Sequence, residues 1–191
     1  MTLHAHGLLE PNWTPPNLPA GTPVRLLHWR IVLEIPGKES VLVDINSPNF
    51  QGGTSIVSAM GKSGVYGTSH NSTDMGNRSN WDKKLPSNTS TPLITPDLIV
   101  RFIKDEGLDQ YTFNAQGSGC LHWVSTFIYH GEKKKLFPPG THDSFLRFVR
   151  ELRTGENARI QANPMAVSGW IPHGSIGYFT KPELNYDAAR V

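Results

Sequence analysis

A single cysteine among 191 residues leaves no partner for an internal disulfide and rules out a Cys-based zinc site. Charge is scarce as well. Charged residues make up 18% of the chain and the net charge is +2, too weak a field to gather nucleic acid or an anionic membrane. No apolar run reaches membrane-spanning length, and Met1-Thr2-Leu3-His4-Ala5-His6 has neither the charged start nor the apolar stretch of a signal peptide. The expectation is a cytoplasmic protein with no nucleic-acid or membrane partner. The glycosylation sequons at Asn12, Asn71, Asn77 and Asn88 then read as by-products of loops rich in Asn, Ser and Thr. Phosphate loops, dinucleotide fingerprints and zinc spacings are missing too, so the expected partner is a small-molecule substrate, with no cofactor and no metal. The pattern leaves the oligomeric state open.

What is present is a globular composition with many loops: 37% hydrophobic residues, 18 Gly and 15 Pro. The length suits one domain over 1–191. Residues 1–24, with Pro11, Pro15, Pro16 and Pro19, read as an extended lead-in. Leu26–Ile35 alternates, Pro36-Gly37-Lys38-Glu39 is a turn, and Ser40–Asn46 alternates again, which predicts a β-hairpin. Residues 47–94 form a long loop-rich insertion in which only Ser55–Ser58 and Gly64–Gly67 resemble strand pieces. A segment of that length usually carries function, and it is expected to form a lid or wall of the site.

Beyond it the period changes to that of helices. Thr95 and Pro96 open one, with Leu98, Ile99, Phe102 and Ile103 on its apolar face and Gly107 at its end. A second is predicted from Ser118 to Tyr129, burying Leu121, Val124, Phe127 and Ile128. A third starts near Thr141 or Asp143 and stops at Gly155. The fold class is therefore α+β: an antiparallel sheet built on the hairpin, with helices packed on one face.

The lone Cys120 lies in Gly117-Ser118-Gly119-Cys120-Leu121-His122-Trp123, at the mouth of the second helix. Free backbone N–H groups and the helix dipole favour a thiolate there, and Gly119 lets a substrate approach the backbone. A free cysteine is equally at home as a small core residue, so the thiol needs a base to count. The hairpin supplies one. If Trp29, Ile31, Leu33, Ile35, Val41, Val43 and Ile45 share one face, the other carries His28, Arg30, Asp44 and Asn46 side by side. Cys120 as nucleophile, His28 as base and Asp44 or Asn46 as the orienting group make a triad. Arg30, Gly119, Trp29, Trp123 and Tyr66 are the candidate substrate-binding residues. His122 sits about 200° around the helix from Cys120 and is not expected to be the base. His4 and His6 could chelate a metal but suit a flexible terminus better, His142 and Asp143 suit a helix cap, and His173 lies on a loop.

His28-Trp29 on a strand and a later helix opening with Gly119-Cys120 resemble the circularly permuted papain-like fold of the NlpC-type and lecithin:retinol-acyltransferase-like proteins. That resemblance implies a base strand that precedes the nucleophile. The chain also resembles small uncharacterised fungal proteins with a His-Trp strand, a hairpin and a Gly-Ser-Gly-Cys helix, which implies a place in secondary metabolism. Two departures stand out: Asp44 or Asn46 occupies the stretch where the acyltransferase-like branch has a second His, and the 47–94 insertion is long. The leading expectation is a hydrolase or acyltransferase acting on an amide, ester or thioester. A cofactor-free cyclase or isomerase (pericyclase-like) with an aromatic pocket is the alternative, and a small-ligand binding module is the third.

Overall fold

The computed structural model describes residues 2–9, 24–34, 40–46, 53–54, 56–62, 82–84, 95–114, 119–163, 168–170 and 176–185. The fold is α+β. Strands β1 (Thr2–Leu9), β2 (Val24–Glu34), β3 (Ser40–Asn46), β5 (Ile56–Lys62) and β6 (Asp82–Lys84) form a sheet in the order β5-β3-β2-β1-β6. A second small sheet joins β4 (Gly53–Thr54), β7 (Tyr111–Phe113) and β9 (Tyr178–Phe179). The helices are α1 (Pro96–Glu106), α2 (Cys120–Lys133) and α3 (Thr141–Ala162).

The hairpin takes a register that keeps its apolar pattern on one face, with Ile31 opposite Val43, Val32 opposite Leu42 and Leu33 opposite Val41. Trp29, Ile31, Val43 and Ile45 enter one core with Phe102, Trp123, Phe127, Phe145 and Val149 of the helices. A slip of one residue would turn that whole set to the opposite face. Val32 and Leu42 on the other face are buried too, so the middle of the hairpin is covered on both sides.

Four expectations need correction. Residues 2–9 of the expected extended lead-in are a strand of the sheet, paired with β2 and β6, so His4 and His6 lie on β1 and not on a flexible terminus. The insertion contributes β4, β5 and β6, while Gly64–Gly67 lies outside the described residues. The large sheet is not wholly antiparallel, because β8 (Ser168–Trp170) pairs in parallel with Val24–Leu26 of β2. Finally, α3 runs through Gly155 to Ala162. Glycine within a helix costs only about 1 kcal/mol, and Leu152 and Glu156, buried on either side of it, carry the packing onward.

Three helix ends have an identifiable cause. Thr95 Oγ1 accepts the Leu98 N–H at 3.2 Å, and Gly107 closes α1 at φ 77°. The Glu132 carboxylate accepts the N–H groups of Gly140 and His142, each at 2.8 Å, which fixes the start of α3 from the end of α2. The His142 side chain is buried against Ser125 Oγ at 2.9 Å and does not serve as a cap. α2 is buried around most of its circumference, so it is the central helix and not an amphipathic one. Among the described residues no helix is long and apolar enough to cross a membrane.

One substitution should act with opposite signs in two helices. A Cβ on Gly131 of α2 would overlap the buried Phe137 ring, whereas a Cβ on Gly155 of α3 meets nothing within 4 Å. Gly131→Ala is expected to lower stability by about 1–3 kcal/mol through overpacking. Gly155→Ala should raise it by about 0.5–1 kcal/mol through helix propensity. Urea unfolding midpoints of the two variants check both signs.

Candidate active site

Along β2 the pairing partners change. Val24–Leu26 pair with β8 and Ile31–Leu33 with β3. Between them, among the described residues, His28, Trp29 and Arg30 pair only with β1. Continuing the hairpin register would set Trp29 opposite Ile45, but that rung is not made. The N-terminus of α2 occupies the opening instead. Trp29 N–H donates to Cys120 Sγ at 3.4 Å, and Ile45 N–H donates to Asp44 Oδ1 at 2.9 Å. Buried backbone donors must find acceptors, and here the acceptors are two of the expected site residues.

The same opening holds His28. Its Nε2 lies 2.7 Å from Asp44 Oδ1, a diagonal contact between neighbouring strands on the shared face. The Cys120 thiol, held at the N–H of the next residue, Trp29, is close enough to the same ring to raise its pKa. With Nε2 committed to Asp44, Nδ1 is the nitrogen left to exchange a proton with the thiol. Both partners are buried, His28 at 8% exposure and Cys120 at 4%. Burial alone disfavours an imidazolium here. The hydrogen bonds from Asp44 and Cys120 and their charges outweigh it, and the His28 pKa is raised from 6.5 to about 10. At neutral pH His28 therefore holds its proton as an imidazolium between two acidic groups.

Cys120 opens α2 behind Gly119, whose φ of 144° and ψ of −5° suit glycine alone. Trp123 N–H is taken up by Gly119 O at 3.0 Å, so the N–H groups of Cys120, Leu121 and His122 precede the helical ladder. They are donors beside the sulfur, where a carbonyl oxygen gaining negative charge would sit.

The structure thus brings together Cys120, His28, Asp44 and Gly119. Arg30 follows on β2, half-buried. Asn46 is paired with Ile56 of β5, and its side chain lies outside the described residues, as do Tyr66 and His173. Trp29 and Trp123 are corrections. Trp29 is 1% exposed and packs edge-on against Phe145 and Phe148, while Trp123 is fully buried, with its Nε1–H on Leu108 O at 2.7 Å. Both are core residues. His122 is buried with its pKa lowered to about 4, a neutral ring unsuited to act as the base. Among the described residues no three His, Cys, Asp or Glu side chains are grouped to hold a metal ion.

Sequence reasoning missed Tyr111. Its hydroxyl donates to Gly119 O at 2.9 Å and accepts the Gly177 N–H at 2.7 Å. The two ends of that second bond lie 66 residues apart, and no local pattern links them.

Because folding raises the His28 pKa, it favours the imidazolium. That contribution to stability is complete below pH 6.5, the unperturbed value, and is lost as pH rises through about 10. Wild-type protein should therefore lose thermal stability between pH 7 and 10 more steeply than His28→Gln. Melting curves across that range check the difference.

A family model described as Domain of unknown function (DUF7770) matches residues 14–168, a span that holds His28, Asp44, Tyr111 and Cys120. No curated protein and no solved structure matches the chain.

Proposed function

The chain belongs to the DUF7770 family, and we propose that this member is a cysteine–histidine enzyme that cleaves or transfers an acyl group from an amide, ester or thioester. The observation that carries this reading is the His28 ring hydrogen-bonded to Asp44, with the Cys120 sulfur held at the backbone N–H of the next residue. A structural core cysteine has no need of such a partner. The raised His28 pKa also suits a ring that carries a proton it can hand to the leaving group.

In the reaction the Cys120 sulfur attacks the carbonyl carbon. An S–C bond forms and the carbonyl π pair moves onto oxygen, which accepts hydrogen bonds from the Cys120 N–H and its neighbours at the start of α2. As the C=O bond re-forms, the bond to the leaving group breaks and that group takes the proton from His28. Neutral His28 then removes a proton from water or an acceptor alcohol or amine. This nucleophile attacks the thioester, and the sulfur departs as thiolate. Asp44 holds the ring in one orientation and stabilises its charged form throughout.

The chain order of base strand, orienting residue and nucleophile helix supports a relation to permuted papain-like folds. A carboxylate as the orienting group suits a more strongly held imidazolium than an amide would. The cyclase reading draws less support, because Trp29 and Trp123, two of its pocket aromatics, pack in the core.

Alkylation of Cys120 by iodoacetamide tests the proposal. Wild type should react rapidly at pH 6, and His28→Ala should lose at least about tenfold in rate there, because each unit of thiol pKa changes the thiolate fraction tenfold. Asp44→Asn should fall between the two. A thiol that stays unreactive until the protein unfolds would falsify the covalent mechanism.

A further inference from the structure

We propose that Tyr111 is a positioning residue that aims the Cys120 backbone N–H at the substrate's carbonyl oxygen. This role rests on the acyl-transfer reading above. Gly119 C=O and Cys120 N–H belong to one peptide unit, which is planar and trans, so the oxygen and the hydrogen point in opposite directions within one plane. Tyr111 holds the oxygen at 2.9 Å and thereby fixes the line along which the hydrogen points. The first helical bond, from Trp123 N–H to the same oxygen at 3.0 Å, already holds it along the helix, and Tyr111 adds a second hold from outside at Gly119, which with no Cβ and φ at 144° is the residue about which this peptide turns most easily.

The hydroxyl is fully committed to that task. It has one proton to give and two lone pairs to fill. The proton goes to Gly119 O. Gly177 N–H fills one lone pair at 2.7 Å, and His122 Nδ1 lies at 3.2 Å to fill the other. His122 is neutral at pH 7, since burial lowers its pKa to about 4, and it carries a single N–H. Placed on Nδ1, that N–H donates to the phenol oxygen. A hydroxyl with all three positions taken cannot rotate away from Gly119.

The ring is equally fixed. Tyr111 is 1% exposed and lies against Phe113 and Phe179, with centroids at 5.5 and 4.6 Å. A Cβ at either Gly119 or Gly177 would overlap it, so both glycines are required for the approach. The brace therefore joins the first turn of α2 to β7 and to residues 176–177. Asp44 orients the base and Tyr111 orients the oxyanion donor, through separate contacts.

Two probes separate this role from a structural one. Iodoacetamide is attacked at a saturated carbon and develops no oxyanion, whereas p-nitrophenyl acetate must pass through one. Wild type, Tyr111→Phe and His28→Ala are compared with both probes, with Cys120→Ser as the blank. Tyr111→Phe should alkylate at the wild-type rate with the wild-type pH profile, which also shows that the site is folded. It should release p-nitrophenolate at least roughly tenfold more slowly, toward the loss seen when an oxyanion donor is removed. Unchanged acylation, or equal slowing of both reactions, would overturn the positioning role while leaving the acyl-transfer reading in place. A wild type whose alkylation is indifferent to His28, or whose ester cleavage does not exceed that of Cys120→Ser, would instead overturn that reading and the role together.

Discussion

Beyond Ile31 and Val43 the ladder between β2 and β3 stops, and the backbone N–H groups of Trp29 and Ile45 turn to Cys120 Sγ and Asp44 Oδ1. A buried N–H left without an acceptor would cost a few kcal/mol, roughly 1–3 by mutational measures. The missing rung is therefore tolerable only because the sulfur and the carboxylate stand in for the lost carbonyl groups. The same replacement sets both side chains against His28. Sheet pairing and site geometry are in this sense one constraint: closing the ladder would expel the thiol, and removing the thiol would strand a donor.

The rest of the fold keeps the entrance of α2 in that opening. The helix is buried on most sides, held by Phe102 of α1 against Phe127 and by Trp123 Nε1–H on Leu108 O. Its far end is fixed to α1 through Lys134 and Glu106 at 2.8 Å and to the start of α3 through Glu132. The exposed lysine adds little, but the Glu132 bonds satisfy donors at a helix N-terminus. Aromatic packing does most of the holding. That explains why the tryptophans with the appearance of pocket residues are in the core: a helix carrying a thiol needs rigid neighbours more than it needs exposed rings.

Electrostatics at the site follow from burial and pairing together. Burial by itself would leave His28 neutral, as it leaves His122 neutral two residues along from the thiol. Two acidic partners reverse the outcome at His28. The two histidines share similarly dry surroundings and differ in their neighbours, so contacts and not residue type decide which ring carries charge.

The amino-acid sequence by itself determined the hairpin and its face-sharing. The period of two over residues 26–46 puts the odd-numbered apolar side chains on one face and His28 with Asp44 on the other, while the structure chose the register among those that keep these faces. The sequence also determined the mouth of α2, because glycine before a helical period marks a start, and it determined the capped α1. Only the tertiary structure decided that Cys120 enters the sheet at the unmade rung, that β1 and the parallel β8 flank β2, and that Tyr111 braces Gly119. Those contacts join residues dozens of positions apart, and no local period or turn signal encodes them. The glycine at 155 misled for the same reason. Its intrinsic cost within a helix is about 1 kcal/mol, and the burial of Leu152 and Glu156 on either side of it outweighs that.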